Sequence, residues 1–111
     1  MTTSAPSSVA ERIDDMLARH DIVLFMKGVP AAPQCGFSQT VVHIMGQLGV
    51  RYATFNVLAD DEVREGIKAY SNWPTIPQLY IKGEFIGGCD IVREMFASGE
   101  LQQLIADQGI G

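Results

Sequence analysis

Cys35 is followed by Gly36-Phe37-Ser38, and the stretch from there onward carries its apolar residues at helical spacing. A thiol at the start of a helix lies among unpaired backbone N–H groups, at the positive end of the peptide dipole. That position favours thiolate over thiol. An ordinary cysteine ionises near pH ~8.5, and such a site lowers this by a unit or more. One exposed thiolate has two uses: exchange with a disulfide, or ligation of a soft metal. Dithiol exchange needs a second thiolate to release the mixed disulfide, and the position three residues on is Ser38. A hydroxyl does not do that work, so disulfide chemistry here depends on a thiol from outside the chain.

Three further stretches carry groups suited to an anionic ligand. Lys27 follows the apolar run Ile22-Val23-Leu24-Phe25-Met26. Most lysines at such places are merely solvated. At the carboxyl edge of a central strand, where ligands bind in open α/β sheets, its ammonium instead suits a thiolate or an anion. Gly87-Gly88-Cys89-Asp90 leads into a helix whose first N–H groups can hold a carboxylate, with Asp90 as its N-cap. Arg64 reads equally as an exposed helix charge paired with Asp60 or Asp61. Cys89 is a second reactive thiol, a resolving partner for Cys35 or a small packing residue, and a lining role is favoured. Trp73, Phe37 and Tyr80 read as groove wall and core. His20 and His43 are isolated and read as surface residues.

The elements that position these groups follow from the pattern. Ser8 and Glu11 have capping-box spacing ahead of Val9, Ile13, Met16 and Leu17, which predicts a helix over 8–19. The 22–26 run does not alternate, the mark of a strand buried on both faces. Gly28, Pro30 and Pro33 predict an irregular loop up to Cys35. A helix over 36–48 turns Phe37, Val41, Ile44, Met45 and Leu48 inward and stops at Gly49. Residues 52–57 alternate as a second strand, parallel to the first. A third helix, capped by Asp60 or Asp61, carries Val63, Ile67 and Tyr70. Strands at 78–81 and 84–86 are joined by the hairpin signal Lys82-Gly83, and two short helices separated at Ser98-Gly99 close the chain. The order β-α-β-α-β-β-α behind an extra N-terminal helix predicts an α/β, thioredoxin-like fold: a four-stranded mixed sheet flanked by helices. One domain over 8–107 is expected between short tails at 1–7 and 108–111.

Composition excludes several classes. A net charge of −5 with no cationic stripe argues against nucleic acid. No apolar run approaches the ~20 residues of a membrane span. The first residues have neither the basic nor the apolar region of a secretory signal. Two cysteines are too few for a disulfide framework or a single-chain zinc site, so a reducing, cytoplasmic setting is expected.

Taken together, Met26-Lys27-Gly28, Cys35-Gly36-Phe37-Ser38, Trp73-Pro74-Thr75-Ile76-Pro77-Gln78 and Gly87-Gly88-Cys89-Asp90 resemble a monothiol glutaredoxin of the Cys-Gly-Phe-Ser type. The resemblance covers about 8–107. It implies a glutathione site made by Lys27, Arg64, Ile76, Cys89 and Asp90, lined by Phe37, Thr75, Pro77 and Gly88. It also implies a cis bond before Pro77, which opens the Ile76 backbone to an extended peptide, and an Arg64 that reaches the glycine carboxylate of glutathione. A [2Fe–2S] cluster takes four thiolates. Cys35 from each of two chains and two glutathiones make up that number, so the resemblance implies a homodimer bridged by a labile cluster and a role as cluster carrier. Implied partners are apo iron–sulfur acceptors; a further reading is a binding module that regulates a partner, for example a BolA-like protein sharing the cluster. The alternative is a monothiol oxidoreductase acting on glutathione mixed disulfides through Cys35, at most a weak enzyme.

Overall fold

The computed structural model describes residues 8–110; the expected 1–7 tail and Gly111 lie outside the described residues. Five helices and six strands follow in the order α1 (Val9–Arg19), β1 (Ile22–Met26), β2 (Gly28–Val29), β3 (Ala32–Pro33), α2 (Gly36–Leu48), β4 (Ala53–Asn56), α3 (Asp61–Ser71), β5 (Gln78–Ile81), β6 (Glu84–Gly87), α4 (Cys89–Ser98) and α5 (Glu100–Asp107). The main sheet has the order β4-β1-β5-β6, with β1 and β4 parallel and the other neighbours antiparallel. This is the thioredoxin-like mixed sheet that the element order predicts.

The central strand explains its own sequence. Ile22, Leu24 and Met26 face a core shared with α2, α4 and α5, while Val23 and Phe25 face one shared with α1 and α3. All five are buried, so no polar residue interrupts the run. Phe25, Tyr80 and Phe85 stack as tilted and edge-on pairs beneath α3. At the start of α1 the Ser8 hydroxyl and the Glu11 carboxylate exchange bonds with each other's N–H groups, completing the capping box. Asp60, not Asp61, caps α3: its Oδ1 accepts from the Glu62 and Val63 N–H groups, and its Oδ2 takes Arg12 of α1 at 2.7 Å. The extra N-terminal helix is thus pinned to the start of α3.

Several local expectations are corrected. The stretch after Lys27 is not an irregular loop but a two-stranded hairpin, β2–β3, pairing Gly28 with Pro33 and Val29 with Ala32. The second strand ends at Asn56, and Val57–Ala59 form one 3-10 turn. Gly88 rather than Asp90 is the N-cap of α4; Asp90 sits in the first turn and makes no capping bond. The chain enters α4 two residues early because β6 runs straight into it. A Cβ on Gly87 would stand 2.7 Å from the Ile91 Cβ, so only glycine lets strand and helix approach this closely. Phe37 does not face inward: it is 62% exposed, and the inward position of that turn belongs to Ser38. Val41, Ile44 and Met45 are buried as expected.

Candidate functional site

Cys35 has extended backbone and is the N-cap of α2, with no side-chain oxygen to cap the helix. Its sulfur therefore stands where the first N–H groups of α2 point outward. Burial opposes ionisation of the Cys35 thiol. The N–H groups of Ser38 and Phe37, the Lys27 charge and the Ser38 hydroxyl outweigh it, and the pKa falls below that of an ordinary cysteine. Lys27 owes its place to β1: the strand ends at Met26, and the next residue projects at the carboxyl edge of the sheet. Ser38 is fully buried, and its Oγ accepts the Lys27 N–H at 3.1 Å, which ties the strand end to the helix that carries Cys35.

A cavity of about 430 Å³ opens beside the sulfur. Lys27, Cys35, Phe37 and Arg64 line it from the β1 edge, α2 and α3. Thr75, Ile76 and Pro77 line the approach to β5, and Gly88, Cys89 and Asp90 the start of α4. All ten site residues expected from the sequence thus meet in one groove, and the Ile76–Pro77 bond is cis. Arg64 is not the exposed, Asp60-paired charge of the bland reading. Asp60 is engaged by Arg12, and the Arg64 Nε is buried without a hydrogen-bond partner. Cys89 is buried, and that burial raises its pKa; the Asp90 and Cys35 charges add to the rise. Its side chain lines the cavity. His20 and His43 are exposed, away from the groove.

The sequence reading missed Lys68, Pro74 and Ile91, which also line the cavity. Lys68 follows Arg64 by one helical turn on α3, so the i, i+4 spacing was the available signal. It lies within 3.3 Å of Glu65 as well. Trp73 is 39% exposed and stacks tilted on Phe85, forming the wall expected of it. Three cationic side chains against the single carboxylate of Asp90 make the groove a cationic place in a chain of net charge −5. Among the described residues, no three His, Cys, Asp or Glu side chains gather where they could hold a metal. No helix of the described residues is long and apolar enough to cross a membrane.

The glutaredoxin family model matches residues 22–86. The chain is 53% identical over 94 residues to an uncharacterized monothiol glutaredoxin ycf64-like protein of Synechocystis sp., covering 85% of this chain and 88% of that one. It is 50% identical over 105 residues to glutaredoxin-related protein 5, mitochondrial, of Danio rerio, covering 94% and 68%. Other relatives are longer: the chain spans 22% of monothiol glutaredoxin-S11 of Oryza sativa and 44% of monothiol glutaredoxin-4 of Schizosaccharomyces pombe. Among solved structures, a monomeric truncated mutant of Trypanosoma brucei 1-C-Grx1 superposes with a TM-score of 0.85 at 45% identity, covering 96% of each chain. A buckwheat glutaredoxin–glutathione complex superposes with a TM-score of 0.81 at 26% identity, covering 92% and 91%. With one thiol at the head of α2 and a serine where a dithiol site has its second cysteine, the chain belongs to the glutaredoxin family as a monothiol member.

Proposed function

We propose that this monothiol glutaredoxin is a glutathione-dependent carrier that holds a [2Fe–2S] cluster at Cys35 and passes it to apo iron–sulfur proteins. The observation that carries the reading is a single thiol, at the start of α2, that opens on the cavity. Cys35 opens on the cavity while Ser38 is turned into the core and Cys89 is buried with a raised pKa. A cluster needs four thiolates, and one chain offers one. The remaining three come from a second chain and two glutathiones, so the cargo assembles a homodimer. A BolA-like protein in place of the second chain is a variant of the same arrangement.

The groove suits glutathione, a tripeptide with two carboxylates. Lys27 and Arg64 face one end as charge partners, and the first N–H groups of α4 receive the other, with the Asp90 carboxylate for its ammonium. Ile76, just before β5, offers backbone groups for strand-like pairing with an extended peptide. Phe37, Thr75, Pro77 and Gly88 complete the wall. The buckwheat relative is described as a glutathione complex, which supports the same ligand here. We place the protein in the cytoplasm, on its two free thiols.

The lowered Cys35 pKa favours a second reading, exchange of glutathione mixed disulfides at that sulfur. Anaerobic reconstitution with iron and sulfide, with and without glutathione, separates the two. Visible charge-transfer absorption on a dimer, dependent on glutathione, is expected of the wild type and of Cys35-intact Cys89→Ser; Cys35→Ser loses both colour and dimer. A wild type colourless under both conditions, yet turning over a glutathionylated disulfide with glutathione and its reductase, replaces the carrier reading with the second.

A further inference from the structure

Lys27 and Gly28 are consecutive, and side-chain oxygens from two other elements take both of their N–H groups. Ser38 Oγ of α2 accepts from Lys27 at 3.1 Å, and Asn56 Oδ1 at the end of β4 accepts from Gly28 at 2.9 Å. The same Asn56 oxygen accepts from Leu58 at 3.0 Å. That local bond fixes the side-chain rotamer, so the oxygen is aimed at Gly28 before the longer-range bond forms. Gly28 leaves no slack: at φ +92° its missing Cβ would lie 2.7 Å from the Ala32 carbonyl oxygen and from the Gln34 nitrogen. Gln34, next to the reactive sulfur, donates its own N–H to the Lys27 carbonyl at 2.9 Å. The whole segment from the end of β1 to Cys35 is therefore folded onto Gly28, and Gly28 is tied across to Asn56.

We propose that Asn56 is a positioning residue for Cys35: its amide oxygen holds the β2–β3 hairpin, so that the Cys35 sulfur and the Lys27 ammonium face one cavity. It does not line the cavity and reaches the sulfur through its bond to Gly28. The proposal rests on Cys35 being the reacting group, which both readings of function share.

The test compares the rates at which full-length protein is alkylated at Cys35 by iodoacetate and by iodoacetamide. The ratio cancels the fraction of thiolate and reports the positive field around the sulfur. Asn56→Ala lowers the ratio about two- to five-fold, the size of one cation moving away from a partly solvated reagent, and brings it toward the ratio of Lys27→Ala. Ile13→Val, a core truncation in α1 that touches neither the Asn56 bonds nor the cavity lining, leaves the ratio at the wild-type value. A second measurement needs no disruptive variant: the Gly28 amide of the wild type exchanges slowly with solvent, and Asn56→Asp, which keeps the acceptor oxygen, keeps it slow. An Asn56→Ala ratio equal to that of the wild type, or a wild-type Gly28 amide exchanging as fast as in an unfolded chain, overturns the proposal. Neither readout involves iron or glutathione, so its failure is distinct from failure of the carrier role.

Discussion

Replacing Ser38 by alanine tests whether this serine is a structural acceptor as well as an absent cysteine. Its side chain is fully buried, and its oxygen accepts the Lys27 N–H at 3.1 Å. Alanine leaves that donor with no partner on the core side. An unsatisfied buried donor costs about 1–3 kcal/mol, and Lys27 is half-buried, so partial access of water puts the expected loss at about 1–2 kcal/mol. For a domain of this size each kcal/mol lowers the melting temperature by roughly 4 °C, which predicts a fall of about 4–8 °C. Thermal unfolding of the reduced protein, followed by far-ultraviolet circular dichroism, reads it directly. Ser38→Cys separates the bond from the volume, because sulfur fills the site but is a weak acceptor, and its melting temperature lies between the two. A Ser38→Ala melting temperature within about 1 °C of the wild type refutes the acceptor role.

Three further outcomes follow from the site and its surroundings. With limiting iodoacetamide near neutral pH, Cys35 is labelled before Cys89, because α2 N–H groups and Lys27 outweigh burial at the first thiol while burial dominates at the second; peptide mapping that finds equal labelling contradicts this. Arg64→Ala weakens glutathione binding by about ten-fold or more and Lys68→Ala by less, since Lys68 is shared with Glu65; calorimetry showing unchanged affinity for Arg64→Ala removes it from the site. Stability falls between pH 10 and 12. Burial raises the Tyr80 pKa from 10.0 to about 12, and the hydrogen bond to Asp14 raises that of Tyr70 from 10.0 to about 12. A raised folded-state pKa gives stability that is full below the unfolded value and lost as pH climbs through the folded one. Urea unfolding at pH 9 and pH 11 measures the slope, and Tyr80→Phe with the same slope as the wild type excludes Tyr80 as its source.

Most of the fold was legible because the relevant signals are local or periodic. β1 reads as doubly buried from its unbroken apolar run, α1 from its capping box, and the stop of α2 from Gly49, which adopts φ +68°. The hairpin β2–β3 was not legible, because two-residue strands containing a proline have no propensity signature. The Lys27–Gln34 backbone bond closes it locally, and the Gly28–Asn56 bond that ties it down is tertiary. Phe37 misled for a related reason: adjacent helix positions 37 and 38 both fit an inward stripe by spacing. The structure buries the small polar residue, whose hydroxyl has a partner, and leaves the ring at the groove. Among site residues the chemistry-bearing ones announced themselves, since a thiol, a lysine at a strand edge and a helix-start glycine pair have few structural reasons to stand together. Asn56 did not, because its function lies wholly in the direction of one oxygen.

The same distinction bears on what the groove selects. A chain of net charge −5 repels anions at long range, yet the cavity beside Cys35 gathers Lys27, Arg64 and Lys68 with the single carboxylate of Asp90. Over more than a Debye length of about 8 Å the acidic surface is screened, so a small ligand meets the local field of the groove rather than the charge of the whole. A large acidic partner presents charge across a wider face and meets the repulsion. If the proposed carrier role holds, the cations select a compact anionic thiol, while a protein partner would meet the apolar rim that Phe37, Trp73 and Ile91 leave exposed at the cavity. Raising ionic strength should therefore weaken glutathione binding, with the cations of the groove no longer fully effective, and leave association through the apolar rim nearly unchanged. Parallel loss of both with salt would mean that one electrostatic surface serves ligand and partner alike, and the division of labour argued here would fail.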